Sequence, residues 1–182
     1  MLLSTSKDEQ CQKHAPLIHQ SVGSLNPISS PWPFTQWGLE IIGPFLQATG
    51  NQIFFLVAMD YFTKWAKAEA LANIRDVDVK KFVWRNIVTR FRAPKSLVSD
   101  NGLQFDSKAF QKFCSDLSIK NKYSTSAYPQ SNGEAKVTNK AIVTELKKRL
   151  EGTKGMWAEE LQNVLWVYQT TLRRSTGETH FH

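Results

Sequence analysis

A chain of 182 residues, 41% of them hydrophobic and 21% charged, is long enough to bury a core and too apolar to stay disordered. Its net charge of +7 predicts attraction to polyanions, nucleic acid being the commonest, although a solvated basic surface has the same composition. Cys11 and Cys114 are too few for a disulfide framework, Met1 to Gln10 hold no signal-peptide core, and the longest apolar run, Ile53 to Met59, is too short to span a bilayer.

Residues 1–30 are polar and irregular, and Ser29 to Pro33 reads as an extended linker because each proline disfavours helix in the residue before it. Trp37 to Phe45 is expected as a first strand ended by Gly43-Pro44, and Gly50-Asn51 as the turn that follows. Ile53 to Tyr61, nearly all apolar, predicts a strand buried on both faces. Lys64 to Ala70 alternates and suits an edge strand. Asp76 to Phe91 carries Phe82, Val83, Ile87, Val88 and Phe91 at helical spacing, with Asp76 and Arg90 placed to suit the helix dipole.

Pro94 stops that helix, and Ser96 to Ser99 forms a short strand leading to Asp100 and the turn signal Asn101-Gly102. Asp106-Ser107 can cap the next helix, whose Ala109, Phe110, Phe113, Cys114 and Leu117 are expected to face inward. Cys114 reads as a buried core thiol, with no histidine nearby in a motif. Ile119 to Ser124 predicts a further strand and Ser124 to Gly133 a mobile loop. Ala135, Asn139, Ile142, Leu146 and Leu150 then recur with helical period, while Lys136, Lys140, Lys147, Lys148 and Arg149 load the other faces. Gly152 to Gly155 ends that helix, and Trp157, Leu161, Val164, Leu165 and Tyr168 mark a last one. Strands grouped first, then alternating with helices, indicate an α/β or mixed layered domain.

Four phrases occur in order: Pro31-Trp32-Pro33-Phe34 through Gly43-Pro44, Asp60-Tyr61-Phe62-Thr63-Lys64-Trp65, Ser99-Asp100-Asn101-Gly102 and Pro129-Gln130-Ser131-Asn132-Gly133. Through them the chain resembles the integrase catalytic cores of retroviruses and gypsy-type LTR retrotransposons, roughly from Cys11 onward. The resemblance implies an α/β, ribonuclease H-like fold: a five-stranded mixed sheet flanked by helices, over residues 31–175. It implies that residues 1–30 are the remnant of a zinc-binding region and 176–182 a truncated tail. Cys11 matches the last zinc ligand of relatives, but Asp8 stands at its partner position and no histidine pair precedes it, so zinc is not expected. DNA as partner, a homo-oligomer, no membrane and a nuclear location also follow from the resemblance.

Integrases trim DNA ends and use the freed 3′-hydroxyl to attack target DNA, with Mg²⁺ or Mn²⁺ ions held by three acids, the last two separated by 35 residues. Carried over, the first acid falls on Glu40, the second on Asp100 and the third on Lys136, with positions 101 to 135 between the last two. Only Glu40 and Asp100 are left as metal ligands. Glu40 is one methylene longer than the family's aspartate. Lys136 puts a cation where a divalent ion would sit, a repulsion of about 4 kcal/mol per like-charge pair at ~4 Å and an effective dielectric near 20. Lys136 is expected to pair with Asp100 or Glu40 instead. Glu134 is not expected to replace it, since two residues turn a helix by about 200° and rescue would need the helix to start later or shift register.

The resemblance implies nucleic-acid contacts at Tyr128, Gln130 and Asn132 in the loop and at Lys140 on the helix; Lys147 and Lys148 extend that basic stripe, and a solvated helix face accounts for any one of these lysines equally well. Tyr128 stands where many relatives have histidine and can still stack on a base. Asp60 is expected to be structural. Two readings compete: a core that still transfers DNA strands, and a non-catalytic core that keeps the fold with DNA binding or self-association. Lys136 and Glu40 favour catalytic impairment.

Overall fold

The computed structural model describes residues 32–123, 140–149 and 155–171. Three apolar runs form an antiparallel meander, β1 (Gln36–Ile42), β2 (Phe54–Asp60) and β3 (Ala66–Leu71). Two short strands, β4 (Ser96–Ser99) and β5 (Lys120–Tyr123), add parallel to the other side of β1, and the sheet order is β3-β2-β1-β4-β5. Parallel neighbours need crossovers, and helices supply them. The first, α1, runs Asp76–Val83 and continues through a π-type turn at Trp84–Val88 to Phe91. The second crossover comprises the short α2 (Leu103–Asp106) and α3 (Lys108–Asp116). Residues 140–149 form α4, and Trp157–Thr170 form α5.

Strand alternation decides what each face buries. Trp37 and Leu39 of β1, with Leu56 and Ala58 of β2, pack on Val79, Phe82, Val83 and Ile87 of α1 and on Phe110 and Cys114 of α3. On the other face Phe55, Val57, Ala66 and Ala68 meet Ile142 and Leu146 of α4 and Trp157, Leu161, Val164 and Leu165 of α5. With helices on both sides, β2 is apolar from Phe54 to Met59, and every residue from Phe55 to the terminal Asp60 is buried. Phe91, at the end of α1, stacks on Phe34 with ring centroids 4.4 Å apart and fixes the helix to the entry of β1.

The edge strand β3 turns the carbonyls of Ala66, Ala68 and Ala70 away from β2. Gln169 Nε2 donates to Ala66 (2.6 Å), Gln162 Nε2 to Ala68 (3.1 Å) and Gln52 Nε2 to Ala70 (3.4 Å). Side-chain amides thus close an edge that would otherwise template pairing with another chain.

Local chemistry sets the element ends. β1 stops at Ile42, three residues short of the expected end, because Gly43 adopts φ +136° and a Cβ there would lie 2.6 Å from the Ile53 carbonyl oxygen. Ser107 Oγ accepts from Phe110 N–H (3.0 Å) to cap α3 and donates to Asp76 (3.1 Å), tying that cap to the start of α1. Ala109, expected inward, is exposed: α3 buries Phe110 and Cys114, and position 109 is turned about 100° from Phe110.

Cys114 is 1% exposed, and burial pushes its thiol up to about 11. The thiolate is the nucleophile, so the folded protein should leave Cys114 unalkylated by iodoacetamide at pH 8 and expose it only on unfolding. Peptide mass mapping checks this, and labelling of Cys114 at the rate of a free thiol contradicts the packing.

Candidate active site

Glu40 and Asp100 are brought together by strand register. β1 and β4 run parallel with Gly38 opposite Val98, so two residues further on Glu40 comes level with Asp100, the residue after β4 ends. Neighbouring strands are about 4.8 Å apart. Glu40 is paired with Val57, which belongs to the α4–α5 side of the core, so its half-buried side chain rises from that face. Asp100 is exposed, and its Oδ1 accepts the Gly102 N–H at 3.1 Å, the side chain closing the Asn101-Gly102 turn on itself.

Beside the acids Met59, Tyr61 and Val98 form a small buried cluster. Gly38 leaves room there for the tyrosine, since a Cβ would stand 3.0 Å from Tyr61 Oη and the ring would have to give by a few tenths of an ångström. No periodicity argument marks Gly38 or Tyr61 as part of this region; the pairing of β1 with β2 does.

Asp60 lies elsewhere. It pairs with Trp37, on the opposite face of the sheet from Glu40, and is fully buried. Its Oδ1 accepts Phe34 N–H (3.0 Å), and its Oδ2 accepts Thr63 N–H and Thr63 Oγ1 (both 2.7 Å). Its hydrogen bonds hold the chain entering β1 to the turn that follows β2.

Along α4, Ile142 and Leu146 are buried, whereas Lys140 and Lys147, seven residues apart, share the outward side and are exposed. Lys148 Nζ lies 3.9 Å from Glu145, and Arg149 reaches Glu145 (3.3 Å) and Glu160 (3.7 Å). Such surface pairs are worth at most about 1 kcal/mol, yet they offset the field of Lys148 and Arg149 and leave Lys140 and Lys147 as the stronger cations. Tyr128, Gln130, Asn132, Glu134 and Lys136 lie outside the described residues.

Divalent cations such as Mg²⁺ take hard oxygen ligands, and Glu40 and Asp100 are the right type. Among the described residues no three His, Cys, Asp or Glu side chains gather to hold a metal.

The integrase core domain family matches residues 33–129, just over half of the chain. Similar proteins include the Gag-Pol polyprotein of avian reticuloendotheliosis virus, 28% identical over 133 residues, covering 73% of this chain and 12% of that protein. The transposon Tf2-3 polyprotein of Schizosaccharomyces pombe is 23% identical over 173 residues, covering 94% of this chain and 13% of that one. The chain thus spans about an eighth of the length of these relatives. Among solved structures, a chain of the simian T-cell lymphotropic virus intasome in complex with PP2A regulatory subunit B56 gamma superposes with TM-score 0.73 at 19% identity, covering 84% of this chain and 55% of that one. The catalytic core domain of BIV integrase gives TM-score 0.65 at 17% identity over 81% of this chain and 91% of that one. These likenesses establish the ribonuclease H-like fold. With the family matched over more than half of its length, the chain belongs to the integrase core domain family.

Proposed function

We propose that this chain is a nucleic-acid-binding, integrase core-like domain of retrotransposon type whose strand-transfer chemistry is impaired. The observation that carries the reading is the cation at position 136, where the family spacing from Asp100 calls for the third acid. Family chemistry relies on divalent metal bound by three acids, which polarises the attacking and leaving oxygens of the phosphodiester. In this chain Asp100 keeps its carboxylate, Glu40 offers one from a longer stem, and Lys136 occupies the remaining position with a charge that pairs with either. The pair then blocks the site that it should complete. In a strand-transfer assay with Mg²⁺ or Mn²⁺, the unmodified chain should yield no more product than its Asp100→Asn variant. Product clearly above that control overturns the reading.

DNA binding needs no third acid. Lys140 and Lys147 stand out from one side of α4 and suit phosphate contacts, with Lys148 beside them and Tyr128, Gln130 and Asn132 contributing from the preceding loop. Replacing both Lys140 and Lys147 with alanine should weaken binding to duplex DNA without sequence preference. It should also reduce the slope of log affinity against log salt by about 0.9 for each phosphate no longer neutralised. Fluorescence anisotropy over a salt series measures both, and an unchanged slope removes α4 from the interface. A homo-oligomer and a nuclear location rest on the family resemblance. No described helix is long and apolar enough to cross a membrane.

A further inference from the structure

We infer that a phosphate-binding pocket lies on the same face of the sheet as Glu40, at the other end of the parallel strands. β1, β4 and β5 begin side by side there. Their register sets Gln36 opposite Ser96 and Ser96 opposite Lys120, one row across three strands, and Lys122 follows one step along, opposite Val98. Lys95 and Ser118 close the row into a cavity of about 290 Å³. Every lining side chain is an ammonium, a hydroxyl or an amide, and none is a carboxylate.

Gln36 turns this basic recess into a site. It is 8% exposed and lines the cavity, yet its Nε2 donates to no acceptor. Buried amide donors are nearly always met by a partner, and an unmet one at the wall of a cationic cavity calls for an anionic oxygen. A phosphate group can take that N–H, hydroxyl protons from the serines and charge-assisted bonds from three lysines at once. The row is four residues back from Glu40 along β1, about 13 Å at strand rise and close to four base pairs of duplex. The phosphate therefore has two candidate sources, a nucleic-acid backbone laid along this face or a free phosphate. Neither depends on strand transfer or on the α4 lysines.

The experiment titrates the full chain with inorganic phosphate against chloride at constant ionic strength and reads the melting temperature. A saturable, phosphate-specific rise is expected. In the Lys95→Gln, Lys120→Gln double variant, both positions being exposed, the apparent Kd should increase about tenfold or more. Gln36→Leu should melt no lower than the parent without phosphate and lose most of the phosphate-dependent rise, whereas a glutamine with a purely structural role would cost basal stability. A single-stranded oligonucleotide then separates the sources. If phosphate competes with it, and the lysine variant lowers its salt slope by about 0.7 per phosphate no longer neutralised, the nucleic-acid backbone is the ligand. If its affinity is unchanged while the phosphate response is lost, a free phosphate is. Absence of a saturable phosphate response, or a response that survives the lysine substitutions, overturns the site.

Discussion

Changing Glu40 to Asp and Lys136 to Glu in one chain should raise DNA strand transfer by at least ~10²-fold over the unmodified sequence. Two physical effects combine. Shortening Glu40 by one methylene withdraws its carboxylate by about 1 Å, a displacement that can be worth on the order of 10²-fold where reacting groups must align. On the family spacing, exchanging Lys136 for glutamate removes a cation and restores the third acid of the proposed site, whose other two members, Glu40 and Asp100, are set level by strand register. Lys136→Glu alone should recover more activity than Glu40→Asp alone, because a misplaced ligand is a lesser defect than a repelling one. The single gains should not add, since the acids act as a unit. Binding supplies an independent readout: Mg²⁺ or Mn²⁺ should raise the melting temperature of the double variant and leave that of the unmodified chain unmoved. An unmodified chain as active as its double variant would sink the claim of impairment.

Asp60→Ala should destabilise the fold by about 3–5 kcal/mol, the cost of removing three hydrogen bonds to one buried carboxylate at roughly 1–2 kcal/mol each. The carboxylate is fully buried and serves three donors, two of them backbone N–H groups of residues 34 and 63. Alanine removes the acceptor that these partly buried donors share. A fall in melting temperature of about 10 °C is expected for a domain of this size. Asp60→Asn should cost less, since it keeps one acceptor oxygen while its amide nitrogen faces donors. DNA affinity per folded molecule should stay unchanged, because Asp60 lies on the opposite face from Glu40. Scanning calorimetry and anisotropy measure the two quantities, and a drop below about 2 °C would show that the three hydrogen bonds contribute little.

The two acidic positions show how far a sequence reaches. Asp100 stands out locally, after two buried aliphatics and before Asn-Gly, a signal contained in a few neighbouring residues. Glu40 is the one charged residue in a largely apolar strand, and only the family's phrase around it marks it. That Glu40 and Asp100 stand level is a consequence of the parallel pairing of β1 with β4 across the α1 crossover. The periodicity of Phe82, Val83 and Ile87 foretells the α1 core face. The π-type turn at Trp84–Val88 inserts within the same apolar spacing and leaves no mark on it. The short α2 escapes a reading of the sequence for a similar reason: four residues hold too little pattern to be seen, although Phe105 is fully buried.

Short-range physics was therefore written into the chain itself. The apolar run of β2, the helical repeats of α1 and α5 and the Ser107 cap each depend on residues within a turn or two of one another. Tertiary structure decided what depends on partners far along the chain: the register that sets Glu40 beside Asp100, the Phe34 N–H that meets Asp60 from 26 positions away, and the row Gln36, Ser96 and Lys120. Those pairings arise only when the sheet closes. A strand carries its alternation in its own residues, but what lies across from each is chosen by the burial of both faces at once.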